Sequence, residues 1–193
     1  MTSAEQIHGN NVAIVNREKV GKELPSVDGL ITTLKRVPLA IFTADCLSIF
    51  IFCPEKNIIT LLHAGWRGTV KGIVLNGLEY LRKEFGANLK KAKVIFGPYI
   101  HQCCYRVRWD PVIKEARVFL KDEKYFRLFC KNIKNDIWAF DLGGINRHYL
   151  EGAGIPDKNI SDMGICTYED KRTFSYRREG ESAGRMMSLI MME

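Results

Sequence analysis

The chain contains 193 residues, of which 46% are hydrophobic and 26% are charged. These fractions are ordinary for a globular protein and exclude a disordered or fibrous chain, and the length suits a single domain. The formal net charge of +7 favours an anionic partner. However, the basic residues are scattered along the chain, so we expect a charged surface rather than a nucleic-acid-binding tail.

The six cysteines do not have the arrangement of a disulfide framework. The first ten residues are polar and lack the apolar core of a signal peptide, and Cys103 is directly followed by Cys104. We therefore predict a reduced, cytoplasmic protein. The longest apolar stretches, at residues 47–53 and 58–62, have the length of strands, so no membrane partner is expected.

Apolar runs bounded by turn residues predict strands through much of the chain. The predicted strands are residues 12–15, 28–33, 39–43, 47–53, 58–62, 94–96, 160–166 and about 174–177. Helical periodicity predicts three helices, which begin near Thr69, Asp110 and Asp141 and end near residues 85, 120 and 152. Strands and helices do not alternate as in a doubly wound sheet, so the predicted fold is α+β in one domain.

The residues best suited to catalytic chemistry are Cys46 and His63. Cys46 precedes one predicted strand, and His63 follows the next. If these two strands pair as a hairpin, the thiol and the imidazole lie at the same end of the sheet. His8, just before the first predicted strand, is a third candidate. Two imidazoles and one thiolate are ligands that zinc prefers, and three protein ligands leave one position for water or substrate.

Two other interpretations of Cys46 and His63 remain open at the level of sequence. The pair could form a nucleophile and base, a role that excludes zinc binding by the same thiolate. Alternatively, Cys46 is an inert buried residue, and His63 is a hydrogen-bonded residue at a strand end.

A glycine-flanked turn at residues 64–69 places Arg67 near the start of a predicted helix. Exposed amides and a guanidinium at such a position favour an anion-binding site, although surface ion pairs are the common role of an arginine. Other residues that could line the same cleft are Cys103, Cys104, Tyr105, Arg177 and Arg178.

A series of motifs resembles the laccase-domain family, formerly described as multicopper polyphenol oxidases and now as purine nucleoside phosphorylases. The motifs, in order, are Q-I-H-G, D-G-L-I-T, T-A-D-C, H-A-G-W-R-G, G-P-Y-I-H-Q-C-C-Y, C-T and F-S-Y-R-R followed by G-R. The resemblance extends from about Gln6 to the C-terminus. The combination of T-A-D-C and H-A-G-W-R-G is highly specific.

The resemblance implies one zinc ion, bound by His8, Cys46 and His63. It implies phosphorolysis of adenosine, inosine, guanosine or methylthioadenosine, deamination of adenosine, and a related role in the editing of peptidoglycan precursors. The implied fold is a β-sandwich of mixed sheets flanked by helices, similar to that of a toxin deamidase with a Cys–His pair. Copper fits less well than zinc, because the blue-copper and trinuclear sites of a laccase together need more histidines than the four present.

The chain also departs from the family pattern. Most members carry several dozen further residues before Q-x-H-G, so we expect residues 1–193 to form one domain that lacks most of this extension. Arg106 stands where an acidic residue is usual, which affects the expected substrate preference more than metal binding.

These motifs lead to specific predicted roles. Asp45 is a candidate general base, or alternatively orients a ligand imidazole. The phosphate is expected to be held by Arg67, Arg177 and Arg178. The expected partners are a purine nucleoside and phosphate, and the chain is expected to be a monomer or homodimer. The alternative enzyme is a metal-free Cys46–His63 amidase, and the alternative from another class is a nucleic-acid-binding module, for which no motif is present.

Overall fold

The computed structural model describes residues 1–193 and contains three sheets. The strands are β1 Thr2–Ala4, β2 Val12–Ile14, β3 Glu23–Leu24, β4 Gly29–Thr32, β5 Leu39–Thr43, β6 Leu47–Cys53, β7 Ile58–Ala64, β8 Lys93–Phe96, β9 Arg106–Arg108, β10 Cys130–Lys134, β11 Ile137–Phe140, β12 Ile160–Asp162 and β13 Met186–Ile190. The α-helices are α1 Trp66–Val70, α2 Ile73–Lys83, α3 Lys114–Leu120, α4 Glu123–Phe129, α5 Leu142–Gly152 and α6 Tyr176–Glu179.

The hairpin of β6 and β7 forms the centre of a six-stranded sheet with the order β12-β8-β6-β7-β4-β2. The two strands are antiparallel, and their register pairs Leu47 with Ala64 and Cys53 with Ile58. Every residue of β7 is buried, as expected for a central strand covered on both faces. The hairpin predicted from the two apolar runs is therefore confirmed.

Different layers cover the two faces of this sheet. Side chains that alternate along the strands enter different cores, because successive residues of a strand point to opposite faces. Ile31 and Leu62 pack with the helices in the larger core. Leu30 and Leu61 pack in a smaller core with residues of the four-stranded sheet β13-β5-β1-β3. The result is a β-sandwich with helices on one side, in one α+β domain, as predicted.

Two local predictions are wrong. The periodic segment after residue 68 is two helices, since Gly72 has a φ of 78° and interrupts it, and α1 begins at Trp66 instead of near Thr69. Residues 174–177 contain the start of α6 instead of a strand, because the Ser175 side chain accepts a hydrogen bond from the amide of Arg178 and caps a helix. The short strands β9, β10 and β11, which form the third sheet, were not predicted, since they lack strong alternation.

No helix in this fold combines the length and the hydrophobicity that a bilayer crossing requires.

Candidate metal centre and cavity

Two imidazoles and one thiol converge at the end of the central hairpin. Cys46 directly precedes β6, His63 lies near the end of β7, and His8 lies in the loop between β1 and β2. Their ligand atoms all lie within 4.8 Å of one another. The two imidazole rings meet edge to face with centroids 4.9 Å apart. We call these three residues the histidine cluster.

A buried carboxylate, Asp28, organises two members of this cluster. Its Oδ1 lies 2.8 Å from Nδ1 of His63, so Nδ1 carries the proton and Nε2 is the free ligand atom. The same carboxylate accepts hydrogen bonds from the amides of His8 at 2.9 Å and Gly9 at 2.7 Å. These bonds compensate for the left-handed backbone of His8, whose φ is 57°. Asp28 thus positions both histidines at once.

The pKa values in the histidine cluster are shifted because its charged side chains lie so close to one another. Burial alone would raise the pKa of the Cys46 thiol, but the charge and hydrogen bonds of His63 and His8 outweigh burial and lower this pKa to about 6. Burial alone would lower the pKa of His63, but the Cys46 thiolate and Asp28 outweigh it and raise that pKa to about 9. Burial would raise the pKa of Asp28, but His63 and two backbone amides keep it below its ordinary value. At neutral pH the metal-free pair is therefore a thiolate and an imidazolium.

Gly65 allows the ligands to come this close. A Cβ atom at this position would lie 2.9 Å from Sγ of Cys46 and 3.0 Å from Cδ2 of His8. The φ of Gly65 is −74°, so any residue could adopt its backbone conformation. Glycine is needed here for space.

The histidine cluster lines a cavity of about 510 Å³, a volume in the range of small-molecule sites. The other lining residues are Gln6, Phe42, Thr43, Ala44, Asp45, Trp66, Arg67, Tyr105, Tyr176, Arg177 and Arg185. Three arginines on this wall are exposed and create a positive environment beside the cluster. Two of them stack on aromatic rings, with Arg67 lying 4.4 Å from the centroid of Trp66 and Arg177 lying 5.2 Å from that of Tyr105.

Tyr105 is buried under this wall. Burial, together with the nearby Cys46 charge, raises the pKa of its hydroxyl. The phenol therefore keeps its proton at neutral pH and is available as a donor to an anionic group.

Asp45 also lines the cavity, but it contacts neither histidine through a hydrogen bond. Its Oδ1 accepts a hydrogen bond from the hydroxyl of Thr167 at 2.6 Å, and its Oδ2 accepts one from the amide of Arg177 at 2.6 Å. Asp28, and not Asp45, is the carboxylate that contacts the ring of His63.

Three predicted substrate-binding residues do not line the cavity. Arg178 donates hydrogen bonds to the carbonyl groups of Thr167 at 2.6 Å and Thr173 at 2.5 Å, so its guanidinium stabilises a loop. Cys103 and Cys104 lie together in a different group of side chains, described below. The structure therefore places these three residues outside the lining of this cavity, and their contact with phosphate or substrate stays a prediction.

Sequence reasoning missed Asp28 and Gly65 as site residues. Asp28 is a carboxylate directly before a buried strand, and this position is the signal that could have identified it. The role of Gly65 depends on spatial neighbours that the local sequence does not reveal.

The histidine cluster fits zinc in its donor chemistry. It offers two imidazole nitrogens and one thiolate, and the carboxylate behind His63 is the arrangement that typically orients a zinc-bound histidine. Three donors are too few for a trinuclear copper centre.

Comparison with known proteins gives consistent results. All 193 residues match a family model described as multi-copper polyphenol oxidoreductase laccase. The chain is 33% identical over 198 residues to the purine nucleoside phosphorylase YlmD of Bacillus subtilis, covering 98% of this chain and 70% of the relative. It is 31% identical over 195 residues to the adenosine deaminase RL5 of an unknown prokaryotic organism, covering 96% of this chain and 72% of the relative.

The fold is shared with solved structures. The crystal structure of YlmD from Geobacillus stearothermophilus superposes with a TM-score of 0.93 at 32% identity, over 100% of this chain and 73% of that one. With a TM-score of 0.94, the hypothetical protein YfiH of Bacillus licheniformis is similar at 30% identity, over 100% of this chain and 74% of that one. The chain therefore belongs to the multi-copper polyphenol oxidoreductase laccase family.

Proposed function

We propose that this protein is a zinc-dependent purine nucleoside phosphorylase that also deaminates adenosine, with adenosine, inosine, guanosine and methylthioadenosine as its substrates. The observation that carries the proposal is the presence of the histidine cluster and three exposed arginines in one cavity of about 510 Å³. The names of the relatives, which include both activities, support it.

We propose that His8, Cys46 and His63 hold the zinc ion. A zinc ion in such a position supplies Lewis acidity, which stabilises negative charge that develops on an oxygen of the reactants. Asp28 keeps Nδ1 of His63 protonated and its ring fixed, so Nε2 is the nitrogen that binds the ion, after it has lost its own proton.

The arginines are proposed to bind phosphate. In phosphorolysis a phosphate oxygen forms a bond to C1′ of the ribose, the bond from C1′ to the purine nitrogen breaks, and its electron pair leaves with the base, which takes up a proton. Arg67 and Arg177 are held on aromatic rings, so their charges are positioned before phosphate arrives. The protonated hydroxyl of Tyr105 is a further donor on this wall.

In place of the general-base role predicted for Asp45, we propose that it positions Arg177. Its Oδ1 accepts a hydrogen bond from the hydroxyl of Thr167, and its Oδ2 accepts one from the amide of Arg177, both at 2.6 Å. One of these bonds fixes the backbone of Arg177 at the start of α6. Asp45 therefore holds a phosphate-binding residue against the cavity.

The proposal is tested by incubating the purified protein with adenosine, inosine or methylthioadenosine, with and without phosphate. We expect free base to appear only with phosphate, and inosine to appear from adenosine without phosphate. If zinc-loaded protein releases neither base nor inosine from any of these nucleosides, the proposed function is wrong.

Two arginine variants test the phosphate site within the same assay. Arg177→Gln should raise the KM for phosphate about tenfold or more, because it removes one charged hydrogen-bonding partner. The matched control is Arg172→Gln, since Arg172 is exposed, pairs with Asp170 and does not line the cavity. An equal effect of both variants would contradict the phosphate-binding role of Arg177.

A second candidate function is a metal-free Cys–His amidase, as in the editing of peptidoglycan precursors. The observation that favours it is the order Asp28–His63–Cys46, in which a carboxylate orients an imidazole that faces a thiol of lowered pKa. Metal analysis of protein purified without chelators, compared with that of its Cys46→Ala variant, separates the candidates. A loss of about one zinc per chain in the variant supports the phosphorylase, whereas an amide-cleaving enzyme with no zinc at this cluster supports the amidase.

A further inference from the structure

A second group of metal-ligating side chains lies outside the cavity. The ligand atoms of Cys103, Cys104, Cys166 and Glu169 all lie within 4.8 Å of one another. Sγ of Cys103 lies 3.5 Å from Sγ of Cys104 and 3.9 Å from Oε1 of Glu169. All of these cysteines are free thiols. We call these four residues the cysteine cluster.

The backbone brings the two halves of the cysteine cluster together. Tyr99 and Cys166 form a parallel bridge, in which the Tyr99 amide donates to Ile165 at 3.2 Å and the Thr167 amide donates to Tyr99 at 3.0 Å. This bridge joins the loop after β8 to the segment after β12. Main-chain pairing therefore joins the two segments, and Sγ of Cys166 adds one contact by accepting a hydrogen bond from the amide of His101 at 3.5 Å.

Tight turns on both sides of the bridge bring the four ligand atoms close together. The Cys104 amide donates to the carbonyl of His101 at 3.0 Å, which folds the adjacent thiols back toward the bridge. The Glu169 amide donates to the carbonyl of Cys166 at 3.2 Å, which returns the carboxylate over the buried thiol. Each side of the bridge thus contributes two donors.

The contacts among these groups are poor if no cation is present. Thiols are weak donors and weak acceptors, so three of them beside a carboxylate satisfy one another badly. Glu169 forms no salt bridge, although Asp170 beside it pairs with Arg172. Its only side-chain hydrogen-bond contact is the long one to Cys103. The carboxylate and the three sulfurs together offer four donors to a cation.

We propose that Cys103, Cys104, Cys166 and Glu169 bind a zinc ion in a closed, structural site that is separate from the histidine cluster. Thiolate sulfur and carboxylate oxygen are both zinc ligands, and four protein donors complete a tetrahedral coordination shell. Such a site has no position for substrate. It joins the loop that carries Tyr105 to the segment that carries Thr167, whose hydroxyl binds Asp45. The ion therefore stabilises the wall of the cavity on the side of Tyr105 and Arg177.

The experiment uses the full chain with Cys46→Ala, which removes the thiolate of the histidine cluster. Reduced, metal-free protein is titrated with Co²⁺, and the bound Co²⁺ is then displaced by Zn²⁺. We expect about one Co²⁺ per chain, with the visible bands of tetrahedral coordination and a sulfur-to-metal charge-transfer band of the strength that three thiolates give. This readout is independent of enzymatic activity.

Further variants on the same background locate the site. Cys103→Ser, at an exposed position, should weaken binding about 100-fold and reduce the charge-transfer band by about a third. Cys53→Ala, a buried core cysteine outside both clusters, is the matched control and should change neither. Cys166→Ser should also weaken binding, and if this variant of a buried residue fails to fold, Cys103→Ser still tests the site, since it alters the surface and leaves the core intact.

Several outcomes would overturn the proposal. These are the absence of bound Co²⁺ and Zn²⁺, a band of single-thiolate strength, equal binding after Cys103→Ser, and binding of Cu⁺ without binding of Zn²⁺. A disulfide among these three cysteines in the protein as isolated, with no metal bound after reduction, would also overturn it and would identify the cysteine cluster as a redox pair.

Discussion

The histidine cluster and the cysteine cluster contain the same functional group, a thiol among other metal ligands, but they give it opposite properties. Burial raises the pKa of Cys103 and of Cys104, and the neighbouring thiols and Glu169 do not reverse this effect. At Cys46 the imidazoles outweigh burial, and the pKa falls to about 6. A neighbouring imidazole, which accepts the thiol proton, favours the thiolate form of a cysteine. A neighbouring thiol or carboxyl group, which is itself an acid, does not.

The number of donors differs as well, and this difference suggests different uses. The histidine cluster offers three protein donors and borders a cavity. The cysteine cluster offers four donors and borders no part of that cavity. Open sites with three donors are typical of catalysis, and closed sites with four donors are typical of structural ions. The following predictions test this contrast.

The largest effect is expected from Cys46→Ala. The variant should lose zinc from the histidine cluster and lower kcat/KM for nucleosides roughly a thousandfold, because several kcal/mol of transition-state stabilisation disappear. The measurement is phosphorolysis together with metal analysis. Cys53→Ala, which removes a buried thiol of the core, is the control and should retain activity. Full nucleoside cleavage by a Cys46→Ala variant that has no zinc at the histidine cluster would show that this cluster is not the catalytic one.

The next effect is expected from Asp28→Asn. An asparagine cannot accept every hydrogen bond that Asp28 receives from His63, His8 and Gly9. Zinc affinity at the histidine cluster should fall about 10–100-fold, and the free energy of unfolding should fall by about 2–3 kcal/mol. Zinc titration and urea denaturation measure the two effects.

The control for Asp28→Asn is Asp122→Asn. Asp122 accepts a hydrogen bond from the Lys124 amide at the exposed start of α4. Asparagine also accepts this hydrogen bond, so the variant should change the free energy of unfolding by less than about 0.5 kcal/mol and leave zinc affinity unchanged. If Asp28→Asn lowers stability but leaves zinc affinity intact, Asp28 has only a structural role.

Alkylation compares the two clusters directly in metal-free, reduced protein. At pH 7 iodoacetamide should modify Cys46 roughly tenfold faster than the more exposed Cys103, since the thiolate fraction controls the rate. The rate at Cys46 should rise as pH increases through about 6, where its thiol loses the proton, and then level off. Peptide mass spectrometry measures both rates. Faster modification of Cys103 would show that exposure, rather than the imidazole neighbours, governs reactivity.

The smallest effect is expected from Gly65→Ala. The added methyl group would contact Cys46 and His8 at 3.0 Å or less, so the ligands must separate by a few tenths of an ångström. Zinc affinity should fall about tenfold. Gly152→Ala, where a Cβ meets nothing within 4 Å, is the control and should leave affinity unchanged. Equal affinity for both variants would show that the ligands tolerate the extra group.

Much of the central sheet could be predicted because its signals are local. The apolar runs of β6 and β7 and the turn between them predict a hairpin, and the hairpin by itself places Cys46 near His63. The same local reasoning failed at Gly72, where a single left-handed residue divides a periodic segment into two helices. It also failed at residues 174–177, where one capping side chain outweighs an apolar pattern.

The residues and motifs of this chain were sufficient to indicate an α+β domain, the family, and the three members of the histidine cluster, because strand periodicity and donor chemistry are properties of short segments. Only the tertiary structure decided that Asp28 orients His63. It also decided that Cys103 and Cys104 lie beside Cys166 and Glu169, away from the cavity. The partners in these contacts are 35 and 66 residues apart in the chain. No local pattern encodes such contacts, because they form only when separate strands and loops pack into one fold.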